Sequence, residues 1–205
     1  MDSNWASEHI QVIRTLMERS ALYRRALAPI LTFAGVVGLV AAAVGWFADI
    51  DSARGFIGFW FGVSLVGLAG ALLLVRRQAL KAAEPFWSPP TRRVAQAAFP
   101  PMFSGFVIGW TSFGWLGAGY MPPLLLVIWV VLYGCGLHAA GLFTSRGLRA
   151  LGWLFILAGA GLFFAVLKAF PEGRQCHLVM GVLFGALQLA CGIYLYFTER
   201  PANQP

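Results

Sequence analysis

The sequence predicts an all-α protein, a six-helix transmembrane bundle preceded by an N-terminal interfacial amphipathic helix. Three observations predict it. The 205 residues are 59% hydrophobic and only 11% charged, where a soluble domain carries about 25% charged residues. The mean hydropathy is +0.73. Six apolar stretches, at 26–48, 55–75, 98–118, 123–143, 148–167 and 176–197, each match the ~20 helical residues that cross a hydrocarbon core about 30 Å thick. The predicted organisation is an interfacial helix over 1–25, a six-span domain over 26–197 and a short tail over 198–205.

The first element is "IRTLMERSALYRRAL", Ile13 to Leu27. Trp5, Ile10, Ile13, Leu16, Met17 and Ser20 fall on one helical stripe, with Glu8, Gln11, Arg14, Thr15, Glu18 and Arg25 on or near the opposite face. Arg14 and Glu18 are spaced for a side-chain pair. Such a helix lies in the headgroup layer with its apolar side down. It then turns into the first span near Leu27–Pro29. Its role is either to anchor and orient that span or to dock a cytoplasmic partner, with Arg14, Glu18, Arg24 and Arg25 as the contacts. The run around Ala41–Ala43 is too long for the apolar region of a cleavable signal.

Turn and charge signals divide the spans: "ADIDSAR", "RRQALKAAEPFWSPPTRR", "GAGYMPP", "TSRGLR" and "KAFPEGRQ". Pro100–Pro101 and Pro122–Pro123 suit the first turn of spans three and four, where a missing N–H is harmless. With six spans both termini share one side. Arg14, Arg19, Arg24, Arg25, Arg76, Arg77, Lys81, Arg92, Arg93, Arg146, Arg149 and Arg200 then lie together, and of the 15 basic residues only Arg54, Lys168 and Arg174 lie opposite. The positive-inside rule makes the basic side, with both termini, cytoplasmic. The net charge of +7 is therefore a matter of topology and anionic lipid rather than nucleic acid. Trp46, Phe47, Trp60, Trp110, Trp115 and Tyr120 form an outer aromatic belt, and Tyr23, Phe86, Trp87, Trp153, Tyr194 and Tyr196 an inner one.

Gly58–Gly62, Gly105–Gly109 and Gly181–Gly185 have GxxxG spacing, which lets helices approach closely within a bundle or an oligomer. "YGCGLHAAGLF" resembles "FGALQLACGIY" at an offset of 51, laying Gly134 on Gly185 and Gly141 on Gly192. Hairpins 3–4 and 5–6 thus read either as parallel repeats or as a chance likeness of Gly/Ala/Leu-rich spans.

No Asp, Glu, Lys or Arg lies well inside a span, so the usual parts of proton relays and ion-coupled carriers are missing. Cys135 and His138 share one face of span four, and Gln188 and Cys191 share one face of span six. Cys135, His138 and Cys191 could hold copper or zinc; the alternative is a histidine hydrogen-bonded to Gln188 or a backbone carbonyl, beside packed thiols. His177 sits too far from His138 to share a haem, and Cys176–His177 reads as a boundary pair. Three free cysteines give no disulfide framework. In "DID", Asp51 or Ser52 is expected to cap the next helix, the competing reading being a divalent-metal site. No nucleophile elbow, phosphate loop or metalloprotease helix occurs, and no cofactor is expected.

"IRTLMERS", "TRR" before span three, "YG" in span four and the closing "FGALQLACGIYLYFTER" resemble a family of uncharacterised bacterial multi-helix inner-membrane proteins. Where that family often carries Leu-His after the FG, this chain has Leu187–Gln188. The resemblance implies an inner-membrane protein and transfers no catalytic residue. Three functions follow as expectations: a non-catalytic membrane protein contacting lipid or a regulator through its basic face, a carrier or channel for a small neutral or apolar compound, and a metal- or haem-linked redox component.

Overall fold

A computed structural model of the protein describes residues 27–81, 86–115, 121–169 and 173–198. All regular structure among them is helical. The helices are α1 Leu27–Phe47, α2 Ala53–Lys81, α3 Pro89–Trp115, α4 Met121–Gly141, α5 Arg146–Lys168 and α6 Gly173–Thr198. Five of them, all but α3, are long and apolar enough to cross a membrane. The interfacial helix expected over 1–25, with Arg14, Glu18, Arg24 and Arg25, lies outside the described residues, as does the tail.

Local chemistry sets the helix starts. The Ser52 hydroxyl accepts from Gly55 N–H at 3.1 Å, so Ser52 rather than Asp51 caps α2. Ser145, with extended backbone, accepts from Leu148 N–H and caps α5. Pro122–Pro123 occupy the first turn of α4. The proline pair of α3 does not follow the same rule. The helix begins at Pro89, and Pro100 and Pro101 sit in its interior. Pro89–Pro90 already supply the helix start, after Ser88, whose hydroxyl lies 3.0 Å from that of Thr91. About nine polar-leaning residues, or ~13 Å of helix, therefore precede the apolar part of α3. Ser104, Thr111 and Ser112 hand their hydroxyl protons to carbonyls three or four residues back, which satisfies those groups inside the helix.

Successive helices run antiparallel. Phe33 of α1 meets Gly70 of α2, and Phe113 of α3 meets Gly58 of α2. Between α3 and α4, Met102 meets Gly136, Gly105 faces Leu132, and Gly109 lies against Trp129. The chain's first and last described helices also pair antiparallel: Gly35 with Leu189, Leu39 with Gly185, Ala42 with Gly181, and Gly45 with His177. α4 is the hub. Half of its apolar window is buried, against 17% for α2, and Leu125, Leu126 and Val130 are core residues with Phe155 of α5 and Met180 of α6.

Close approaches recur at glycines seven apart. A Cβ on Gly134 would come within 2.8 Å of the Gly152 carbonyl, and one on Gly152 within 2.5 Å of the His138 amide. Gly141 against Arg149, and Gly159 against Val131, extend this α4–α5 seam. Gly38 and Gly45 on α1, with Gly185 and Gly192 on α6, do the same for the second pair. Small residues at a heptad period let two helices pack backbone to backbone with a left-handed crossing. The GxxxG pairs behave unequally. Gly181 and Gly185 form part of the α1–α6 seam. Gly109 packs against the Phe61 and Trp129 rings, whereas Gly105 and Gly58 make ordinary contacts and Gly62 has no neighbour within 4 Å.

Candidate functional site

Among the described residues no Asp, Glu, Lys or Arg is buried. The buried polar side chains are Ser88, Ser112, His177 and Gln188. The last two define two polar places in the bundle.

The first is at the end where α1 turns into α2 and α6 begins. His177 is fully buried. Its Nδ1 accepts from Trp60 Nε1 at 3.2 Å, and its Nε2 lies 3.1 Å from the Ile50 carbonyl oxygen. A carbonyl only accepts and an indole N–H only donates. These two partners therefore fix the neutral tautomer, with hydrogen on Nε2. The ring rests on Gly45, where any Cβ would collide with it, and Phe56 and Phe59 meet it edge-on at 5.0 and 5.6 Å. Beside it, Arg174 pairs with Asp49 and lies 5.3 Å over the Trp46 ring. Asp49 has φ of +50°, the left-handed conformation that turns the chain out of α1. Together these contacts clamp the α1–α2 turn onto the start of α6.

Cys176 and His177, expected as a boundary pair, lie at the start of α6 and are both wholly buried. Trp60, expected in the outer aromatic belt, is likewise buried and engaged. Phe47 and Trp110 of the expected outer belt, and Trp87, Trp153, Tyr194 and Tyr196 of the inner one, are exposed. The signal for His177 was present in the sequence: it lies in helical phase with Gly181, Gln188 and Gly192.

The second place is near the middle of α4 and α6. Residues Gly181–Leu187 of α6 form a π-helical segment, a wider turn often found where a helix carries function. Gln188 follows it and is buried. Its side chain pairs with that of Tyr133, and its Oε1 has no protein partner. Tyr133, Phe155 and Phe184 fill the space between α4, α5 and α6, their ring centroids 4.9 to 5.3 Å apart.

The proposed metal set is not assembled. Among the described residues no three His, Cys, Asp or Glu side chains converge on a point. Cys135 and Cys191 are half-buried. His138 turns toward α5, edge-on to Trp153 at 5.4 Å. Its Nδ1 and the Gln188 Oε1 are both without partners, so the expected hydrogen bond between these two residues is also absent. The register of the α4–α5 seam explains this: with Gly152 against its own backbone, His138 is committed to the α5 side.

At the other end, Arg76, Arg77 and Lys81 of α2, Arg92 and Arg93 of α3, and Arg146 and Arg149 of α5 gather where α2 ends, α3 begins and α4 turns into α5. The described carboxylates, Asp49 and Asp51, both lie at the opposite end.

No family model matches this chain, and neither a curated protein nor a solved structure is significantly similar to it.

Proposed function

We propose that the protein is a non-catalytic, multi-pass protein of a bacterial inner membrane. Both termini are cytoplasmic, and its basic face holds anionic lipid or a regulatory partner. The observation that carries this reading is the uneven charge: seven of the ten described cations lie at one end, and the other three share the opposite end with both described carboxylates. Lys and Arg beside a cytoplasmic leaflet are each attracted by about 1 kcal/mol to its anionic lipids. The clamp at the opposite end supports a structural role there, since Arg174 pairs with Asp49 and the His177 ring nitrogens are taken up by Trp60 and Ile50. The filled space around Tyr133, Phe155 and Phe184 weighs against a carrier, and the dispersed Cys135, His138 and Cys191 weigh against a metal centre.

The test is mass spectrometry of the protein after reconstitution in nanodiscs holding equal phosphatidylglycerol and phosphatidylcholine. The expected result is enrichment of the anionic lipid over its bulk share. A bound-lipid composition equal to the bulk, with no co-extracted protein from native membranes, contradicts the proposal.

A further inference from the structure

The half of α2 nearest the basic end is thinly covered. Its buried side chains, Phe56, Ile57 and Trp60, all lie in the other half. Ala69, Leu72, Leu73 and Arg76 follow at helical spacing along one face. With Phe86 from the segment leading into α3 they line an open apolar groove of about 540 Å³, within the size range of ligand sites. Leu73 is 65% exposed. From Arg76 to Ala69 the groove runs about 10 Å along the helix axis, from the charged end toward the hydrocarbon.

We propose that this groove is a binding site for one anionic phospholipid, with its phosphate on Arg76 and an acyl chain along Leu73, Leu72 and Ala69. The inference rests on the lipid-contacting reading above and narrows it to one place. Charge chooses the occupant. A guanidinium at the mouth of an apolar channel matches an amphiphile with an anionic head, and Arg binds phosphate in a bidentate manner. A second copy of this chain docked parallel on the same face would bring two Arg76 side chains together. The neighbouring Arg77, and the cations of α3 and α5 at this end, add to the repulsion.

The experiment compares wild type with Arg76→Gln, Leu73→Trp and Arg77→Gln in the same mixed-lipid nanodiscs, counting retained phosphatidylglycerol by native mass spectrometry. Leu73→Trp obstructs the chain path without changing charge, and Arg77→Gln removes a charge outside the groove lining. The expected result is that Arg76→Gln and Leu73→Trp each lower retention of one lipid by about tenfold, the factor of one charge-assisted hydrogen bond, while Arg77→Gln, which feels only the general attraction of the leaflet, lowers it by no more than about fivefold. Thermal melting checks that each variant is folded; should one fail, the other still decides. Equal loss in Arg76→Gln and Arg77→Gln, with none in Leu73→Trp, overturns the site and leaves the general basic-face reading standing. Absence of enrichment in the wild type overturns both. A lipid-free dimer that Leu73→Trp converts to monomer overturns the site in favour of a second copy.

Discussion

His177 shows how a polar side chain can be buried at a bundle's end with both ring nitrogens engaged. Its two ring nitrogens meet partners of opposite kind, Trp60 N–H and the Ile50 carbonyl. Replacing it by Phe preserves a ring on Gly45 but leaves both partners unpaired, each at about 1–3 kcal/mol. His177→Phe should therefore destabilise the protein by about 2–6 kcal/mol in a detergent melt; an unchanged melting temperature would remove the clamp as a source of stability. Gln188 and Tyr133 invite a paired test. Tyr133→Phe leaves Gln188 with no side-chain partner, and Gln188→Leu leaves the Tyr133 hydroxyl alone. Each single change should lower stability by about 1–3 kcal/mol, and the double change should recover most of the loss, because an apolar pair has nothing unsatisfied. Strict additivity in that cycle would show that the two residues act apart. The sequence marked Gln188 and His138 as intramembrane polar groups, but the partner of each depends on neighbouring helices. It offered Gln188 or a backbone carbonyl to His138, and the structure leaves the His138 Nδ1 without a partner.

At the level of helices, spacing was legible and pairing was not. The α4–α5 and α1–α6 seams explain why "YGCGLHAAGLF" and "FGALQLACGIY" look alike. Gly134 and Gly141, like Gly185 and Gly192, are seven apart because each helix receives an antiparallel neighbour at those points. A shared packing task accounts for the likeness whether or not the segments descend from a repeat. The same logic separates glycines that look equivalent in sequence. Gly152→Ala sets a methyl against the His138 backbone, which cannot swing aside as a side chain can. It should cost about 1–3 kcal/mol by overpacking. Gly62→Ala enters open space and should leave stability unchanged or raise it by up to about 1 kcal/mol, as alanine favours the helix. Equal melting temperatures for Gly152→Ala and Gly62→Ala would contradict the seam. The α3 start was misread for a related reason. A proline pair suits a first turn, but Pro89–Pro90 took that position, and the helix tolerated Pro100–Pro101 eleven residues on.

For the whole molecule the open question is the parity of crossings. Five helices qualify as spans on length and composition. α3, less apolar, nevertheless packs antiparallel along α4 from Met102 to Gly109. If α3 crosses, alkaline phosphatase fused within 116–120 is active and the same enzyme fused at Thr144 is silent, as are fusions at both termini. Equal activity at 116–120 and at the α2–α3 connection would leave α3 on one side and place the two ends of the chain in different compartments. What the sequence alone determined is the membrane class, five of the six apolar stretches it marked as spans, and the uneven basic charge. These depend on hydropathy and charge summed along the chain, which need no knowledge of neighbours. Only the tertiary structure decided which glycines touch, that His177 is clamped rather than exposed, that Cys135, His138 and Cys191 stay apart, and that α2 leaves a groove beside Arg76. Each of those is a relation between helices distant in sequence, set by rotation and register, and those follow from packing the helices together.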